Sequence, residues 1–377
     1  MAVSKHPDSL IDVLAAIDDP RIERRKLHRL LDILAIAICA TICGAEGFSD
    51  FADFGRARKE WLSSFLELPN GIPSHDTFRR VLGLLDPKLL EQTLIAWTAS
   101  IAETINAAHL AIDGKTLRRS HNRRDGVPAL HTISAWASQH RLVLAQTTAT
   151  GQGGHNDEPA AIAELLRMLA LKGTIVSIDA AGTHAKIATQ IAEAGGEYLL
   201  ALKGNQPTLL AEATTSIAAV REASTTPTAH SYHQEVDKGH GRIEIRRCWV
   251  VEDAWPRADE WKNLRSFVLI ERQREIAETL SIQQCYYLTS ISADAKLINQ
   301  LARAHWGIEN SVHWVLDVVM GEDANRTRVA RAPKNLALVR RFAMNMLRRE
   351  TSNHRGIKGR SKIAAWDNDY LRKVLTS

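Results

Sequence analysis

Three acids in this chain stand where their neighbours could aim them at one point. Asp113 closes the apolar run Leu110-Ala111-Ile112 and is followed by Gly114 and Lys115, while Asp179 closes Val176-Ser177-Ile178. Glu309 lies in Arg303-Ala304-His305-Trp306-Gly307-Ile308-Glu309-Asn310, at the border of an apolar helical face. In an open α/β sheet the carboxyl ends of strands face the functional crevice, so carboxylates from neighbouring strands can converge on a hard cation. Two such cations would activate an attacking water or 3'-hydroxyl and stabilise the departing oxygen of an in-line phosphoryl displacement. Each acid alone has a plainer reading. Asp-Gly is a common turn pair, an aspartate after a strand often caps the next helix, and Glu309 can pair with Arg303 or a histidine. Two aspartates at equivalent strand ends carry more weight than either one.

Around Glu309, residues His305, Glu309 and His313 form one i, i+4 row. The two histidines are eight residues apart, more than the single turn a shared zinc requires, so both read as polar contacts and not as ligands. Glu322 and Asp323 rival Glu309 as the third acid, but Gly321 interrupts the helical pattern just before them. They read as residues of a helix end or loop that cap it or hold the following arginines. Glu309 is anchored mid-helix by Ile308 and Val312, which gives a site residue the rigidity it needs.

The elements that would position these acids follow from periodicity. From Pro20 to about His109 apolar residues recur at three and four, as in Leu27, Leu30, Leu31, Leu34 and Ile38, which predicts an all-helical unit. Within it Pro73-Ser74-His75-Asp76-Thr77 opens a helix over Phe78 to Leu85, with Arg79 and Arg80 outward. This helix is either a packed surface helix or a groove reader. Three short β-rich runs follow at Leu110–Asp113, Leu130–Trp136 and Arg141–Thr148, then a helix over Glu158–Leu171 and a strand over Thr174–Ile178. A helix over His184–Ala194 and a strand over Tyr198–Leu202 complete an α/β layer whose order matches the ribonuclease H-like core. The stretch from about 205 to 290 holds a helix near Leu209–Val220 and then alternating runs at Ser231–Val236, Arg242–Val251, Phe267–Ile270 and Ile282–Leu288, a β-rich insertion. Helical periodicity returns from Ala293 to Val319. The expected division is 1–106 as a helical, DNA-binding unit, 107–350 as the catalytic unit with its insertion, and 351–377 as a basic carboxyl-terminal segment.

Composition narrows the partners. With 377 residues, 45% apolar and 24% charged, the chain is ordinary globular protein, which excludes disordered and collagen-like classes. The longest apolar stretch, Leu30 to Cys43, contains Asp32 and falls short of the roughly 18 uninterrupted apolar residues of a membrane span. Four aspartates before position 20 argue against a signal peptide, so the cytoplasm is expected, with association to the nucleoid. Cys39, Cys43, Cys248 and Cys285 form no Cys-x-x-Cys pair and are read as buried thiols. Net charge is only +5, yet residues 324–377 hold 14 basic and 3 acidic side chains against 12 and 15 in residues 1–109. A cationic end of this kind is either a solvated tail or a polyanion grip. Its helix, from about Lys334 to Arg349, is expected to expose some of Arg340, Arg341, Arg348 and Arg349. Lys115, Arg118, Arg119, Arg123 and Arg124 after the first aspartate, and Arg326, Arg328, Arg331 and Lys334 after the glutamate helix, would flank a nucleic acid on two sides. No Walker A motif or glycine-rich strand-to-helix fingerprint occurs, which argues against a nucleoside-triphosphate or dinucleotide enzyme.

The strings AIDGKTLRRS, GTIVSIDAAGTHAKIA, EYLLALKGNQPTL, HGRIEIR, HWGIENSVHWVLDVVMGEDANRTR and GIKGRSKIAAWDNDYLRKVL closely resemble the H-repeat-associated (ISAs-type) insertion-sequence transposases of the DDE superfamily. The resemblance runs over nearly the whole chain. It implies a ribonuclease H-like core with a β-strand insertion before the glutamate, and Asp113, Asp179 and Glu309 as catalytic, metal-binding acids. It also implies Mg²⁺ as cofactor, two ions with Mn²⁺ possible, and double-stranded DNA, both transposon ends and target, as substrate. The DNA-contacting set expected from these strings is Lys115, Arg118, Arg119, Lys203, Asn205, Arg242, Arg303, His305, Trp306, Asn310, Arg326 and Arg328. Related transposases carry a Tyr, Arg, Glu, Lys signature, whereas the positions four before and seven after Glu309 are His305 and Leu316 here. Arg303 and Asn310 are the expected substitutes, and Trp306 either stacks on an unpaired base or packs between domains. The expected function is metal-dependent strand cleavage at insertion-sequence ends followed by transfer of the 3'-hydroxyl to target DNA, by a homodimer or larger synaptic complex. The alternatives are a host-adopted nuclease without strand transfer and a catalytically silent DNA-binding protein.

Overall fold

The computed structural model describes residues 10–102, 108–122, 125–149, 157–222, 229–239, 242–252, 260–276 and 279–377. Arg123 and Arg124 lie outside these residues. The chain begins with six helices: α1 (Leu10–Ala15), α2 (Leu30–Ile42), α3 (Phe48–Ala57), α4 (Lys59–Leu62), α5 (His75–Leu84) and α6 (Pro87–Ala102). Apart from Asp32 and Thr41, α2 is apolar on every side, and it is buried along nearly its whole length. Helix α5 starts three residues before the expected Phe78, because Ser74 accepts a hydrogen bond from the Thr77 backbone N–H and caps the turn. No helix among the described residues is long and apolar enough to cross a membrane.

Three antiparallel strands follow, β1 (His109–Leu117), β2 (Leu130–Ala137) and β3 (Leu142–Ala149), then α7 (Glu158–Arg167), β4 (Ile175–Ile178), α8 (Ala185–Glu193) and β5 (Glu197–Leu202). Strands β4 and β5 run parallel to β1, giving the order β3-β2-β1-β4-β5. After α9 (Pro207–Glu222), the expected β-rich insertion is present as β6 (His230–Gly239), β7 (Arg242–Glu252), β8 (Ser266–Ile276) and β9 (Thr279–Thr289). It is not a separate layer. Strand β9 pairs antiparallel with β5 through Leu199 to Leu202, so the insertion continues the same sheet to nine strands. The inner ends of β8 and β9 are buried, while their hairpin end, with Ile276, Leu280 and Ile282 exposed, stands out in solvent.

The expected single helix over 293–319 changes character halfway. An α-helix, α10 (Ala295–Ile308), capped by the Asp294 carboxylate on the Leu297 N–H, gives way to π-helical turns at Glu309–His313 and Val315–Val319. The chain closes with α11 (Ala332–Arg349), α12 (Ile357–Trp366) and α13 (Asn368–Thr376). Helix α11 packs against α2 and covers the sheet edge: the Asn345 side chain accepts from the Val143 N–H at 3.0 Å and donates to the Val143 carbonyl at 2.8 Å. The N–H and C=O of this one edge-strand residue are thereby satisfied.

That placement removes two of the four α11 arginines from those expected to be exposed. Arg340 and Arg341 are buried, because α11 runs through the interior; Arg340 donates to the Met320 and Glu46 carbonyls and Arg341 pairs with buried Glu322. Arg348 lies 4.5 Å over the Trp136 ring, and burial lowers its pKa to about 9. Of the four thiols, Cys39 and Cys248 are buried as expected, but Cys43 and Cys285 are only partly so; all four are free.

Candidate active site

Strand β1 pairs with β4 from His109–Ile175 to Ile112–Ile178, and there the pairing stops. Asp113 and Asp179 are the next residue on each strand, so they flank the point where two parallel neighbours separate. The expectation that β1 ends at Asp113 is corrected: β1 continues to Leu117, paired with β2 alone. Gly114 is therefore a strand residue and not a turn residue. A side chain there would displace its neighbours, since a Cβ would lie 2.5 Å from His131 Nε2 and 2.9 Å from Glu158 Oε1. His131 and Glu158 themselves pair at 3.3 Å.

Asp179 leaves β4 into a short 3-10 turn, Ala180–Gly182, and its Oδ1 accepts from the Ala181 N–H at 3.1 Å and the Gly182 N–H at 3.4 Å. Asn205 braces this turn by donating to the Ala180 carbonyl at 2.7 Å. The capping role and a ligand role are compatible, because Oδ2 is not used by the cap. Burial first, and then the Glu158 carboxylate, push the Asp179 pKa up against the pull of those N–H groups and Lys203.

Glu309 reaches the same place from the helix. It sits where α10 widens, with a half-exposed side chain, and His313 one wide turn later is buried against it. His313 Nδ1 lies 3.3 Å from Glu309 Oε2 and 3.7 Å from Asp113 Oδ2. One ligand atom from each of Asp113, Glu309 and His313 falls within 4.8 Å of the others. Burial, then the Asp179 carboxylate, then Glu309 and Glu158, raise the Asp113 pKa to about 7 despite the hydrogen bond from the Gly114 N–H. A buried carboxylate crowded by other carboxylates is what a divalent cation would relieve, and an oxygen-rich donor set suits a hard cation. The residues present therefore fit a divalent metal.

The structure separates the two histidines of the expected row. His305 is buried away from the acids, its Nδ1 2.8 Å from Ser177 Oγ, which also meets His109 Nε2 at 2.8 Å. Burial lowers the His305 pKa to about 4 and the His109 pKa to about 3, so both rings are neutral and hold β1, β4 and α10 together. His305 is thus removed from the DNA-facing set. Lys115 is removed as well. Alternation along β1 places it on the Asp113 face, but there its Nζ meets Asp317 at 2.6 Å, Glu322 at 3.7 Å and Asp323 at 3.9 Å, and the side chain is buried. It ties β1 to the wide helix that carries Glu309.

Of the other expected contacts, Arg118, Arg119, Lys203, Asn205, Asn310, Arg326 and Arg328 are exposed. Arg303 is half-exposed but already pairs with Glu235 and Asp237 of β6 at 3.2 and 3.0 Å, so it joins α10 to the insertion. Arg242 opens β7. Trp306 is 43% exposed and, with Lys203, Tyr286 and Tyr287, lines a 470 Å³ cavity that Asp179 also borders. Among the rival acids, Glu322 is fully buried with Arg341, and Asp323 accepts from the Arg118 N–H at 3.1 Å. The sequence marks His313 as a polar contact of the Glu309 row and Glu158 only as the start of a helix. The i, i+4 spacing of Glu309 and His313 was the available signal for the first, and no local signal marked the second.

Comparison with known proteins places this geometry in context. Residues 106–346 match the family described as "Transposase DDE domain", and residues 11–98 match the "DDE_Tnp_1-associated" family. A relative from Escherichia coli O157:H7, "Putative transposase YncI", is 35% identical over 98% of this chain and 95% of its own length. "H repeat-associated putative transposase YhhI" of Escherichia coli K12 is 34% identical over 97% of both chains. Among solved structures, a piggyBac transposase synaptic complex with hairpin DNA covers 97% of this chain at 13% identity and a TM-score of 0.40.

Proposed function

The chain belongs to the transposase DDE domain family and acts in DNA transposition, and from that premise we propose that it cleaves insertion-sequence ends and joins the freed 3'-hydroxyl to target DNA. The observation that carries this reading is that Asp113 and Asp179 each stand one residue past the last paired register of adjacent parallel strands, with Glu309 and His313 offering ligand atoms within 4.8 Å of one from Asp113. The β3-β2-β1-β4-β5 order, with β1 to β3 antiparallel and β4 and β5 parallel to β1, supports a ribonuclease H-like core.

Asp113, Asp179 and Glu309 would hold two Mg²⁺ ions, with Mn²⁺ able to replace them. Bound there, the cations would activate water or a 3'-hydroxyl and stabilise the departing oxygen. The chain's own residues prepare the centre. The Gly114 N–H orients the Asp113 carboxylate at 2.8 Å, the Ala181 and Gly182 N–H groups orient Asp179, and Lys115 fixes the helix of Glu309 against β1. Exposed Arg118, Arg119, Lys203, Arg326 and Arg328 supply phosphate contacts around it, joined by Asn205, Asn310 and Arg242, while Trp306 offers an aromatic face beside Asp179 for an unpaired base. The helical unit 1–106 would bind DNA, 107–350 would carry the chemistry and 351–377 would add affinity. Two element ends require at least two active sites or sequential use of one, which favours a homodimer or larger complex on the nucleoid.

The reading is tested by incubating purified protein with DNA bearing the native flanking repeats, with Mg²⁺ or EDTA, and mapping products at nucleotide resolution. Nicks at the repeat boundary and joined products in Mg²⁺ alone are expected. Cleavage without joining would favour the nuclease reading, and binding without either would favour the silent one.

A further inference from the structure

The wide turn that carries Glu309 also carries a nitrogen donor to which the acid-only reading gives no task. In a regular α-helix His305, Glu309 and His313 would share one row. Here the π-helical turn, in which the Trp314 N–H reaches back five residues to the Glu309 carbonyl, lies between them. His305 faces Ser177 and His313 faces Asp113. Single π turns inside α-helices recur at functional sites, where the extra residue re-aims side chains.

The spacing at His313 suits coordination. Neighbouring corners of an octahedron with metal–ligand bonds of roughly 2.1 Å stand roughly 3.0 Å apart. His313 Nδ1 is 3.3 Å from Glu309 Oε2 and 3.7 Å from Asp113 Oδ2, each within an ångström of that spacing, and one ligand atom from each of the three residues lies within 4.8 Å of the others. The imidazole is only 8% exposed, which holds it in place. Its Nε2 meets no hydrogen-bond partner among the described residues. Nδ1 meets the Glu309 carboxylate at 3.3 Å, so a cation taken up at Nδ1 would replace that hydrogen bond, with the ring proton carried on Nε2.

We infer that His313 is a nitrogen ligand to a divalent cation shared with Asp113 and Glu309. This rests on the reading that these acids bind a divalent cation, and it deepens it: the centre has a mixed oxygen and nitrogen donor set, not a purely carboxylate one. Imidazole suits transition metals better than magnesium, so the site should hold Mn²⁺ or Co²⁺ more tightly than an all-carboxylate site would, relative to Mg²⁺.

The test uses the untagged full-length protein with one equivalent of Mn²⁺, observed by electron spin-echo envelope modulation, which reports a directly bound nitrogen. Wild type should show ¹⁴N coupling. His313→Gln should keep Mn²⁺ bound, on the order of 10-fold more weakly, and lose the coupling. A wild-type sample made with ¹⁵N-histidine needs no substitution and should convert the ¹⁴N pattern to a ¹⁵N one, so the test survives a variant that does not fold. Mn²⁺ bound without nitrogen coupling, or coupling that persists in His313→Gln, overturns this proposal and leaves the metal-binding acids standing. Absence of any Mn²⁺ binding by wild type overturns both.

Discussion

Replacing Lys115 with Met distinguishes a buried strut from a phosphate contact. The Lys115 ammonium faces three carboxylates, Asp317 at 2.6 Å, Glu322 at 3.7 Å and Asp323 at 3.9 Å, and its own side chain is 7% exposed. Removing one partner of a buried charge pair costs about 3–5 kcal/mol. Two features bring the expected loss below that range: Glu322 retains Arg341, and Asp317 and Asp323 keep roughly a third of their exposure to water. A loss of about 2–3 kcal/mol is therefore expected. With an unfolding entropy of about 2.1 cal/mol/K per residue, this chain length converts it to a fall in Tm of about 3 °C. Adding Asp317→Asn should recover part of the fall, since it removes the acid left without its cation. DNA affinity measured against salt should keep the wild-type slope. A lysine that grips phosphate would do the opposite, leaving Tm alone and flattening the slope by about one unit. Unchanged Tm with a flattened slope would refute the strut.

Three further outcomes follow from the same geometry. Asp113 has a folded pKa of about 7, raised above its unfolded value, so the folded state holds an extra proton between about pH 4 and pH 7 and stability falls as pH rises through that window. Without divalent cation, Asp113→Asn should be more stable than wild type at pH 8 and equal to it near pH 4, measured by thermal melting; the reverse order would remove the carboxylate crowding. Gly114→Ala should cost about 1–3 kcal/mol by driving a methyl into His131 and Glu158, and a neutral effect would show that this pair yields freely. Neutralising exposed Arg326 and Arg328 should flatten the salt slope by up to about two units without lowering Tm, whereas Arg341→Gln should lower Tm, because Arg341 is paired inside the protein.

What the sequence shows and what it hides divide along local and long-range physics. The strands, the crossover helices and Asp179 as a cap are legible because period-two and period-3.6 patterns and cap chemistry are local. The continuation of β1 past Asp113 is not, since Asp-Gly reads as a turn, and only the pairing of Lys115 to Thr132 and Leu117 to Leu130 keeps it a strand. Net charge marks residues 324–377 as basic, but charge carries no address: Arg340 and Arg341 lie inside, matched to groups far from them along the chain. Lys115 misleads for the same reason, its partners being at 317, 322 and 323. The Glu309–His313 turn is partly legible. Its spacing is visible, but the widening that parts His305 from His313 depends on how the helix lies across β1 and β4.

The account turns on Glu309 as the third acid, and end-cleavage by Glu309→Gln measures that most directly. The variant should bind the flanking-repeat DNA and melt like wild type, because the Glu309 side chain is half-exposed and bonds only His313 among the described residues. Mapped at nucleotide resolution in Mg²⁺ or Mn²⁺, it should yield no nicks at the repeat boundary where wild type cuts. Full cleavage by Glu309→Gln, with loss instead in Asp323→Asn, would contradict the account and move the third carboxylate to the far side of Gly321.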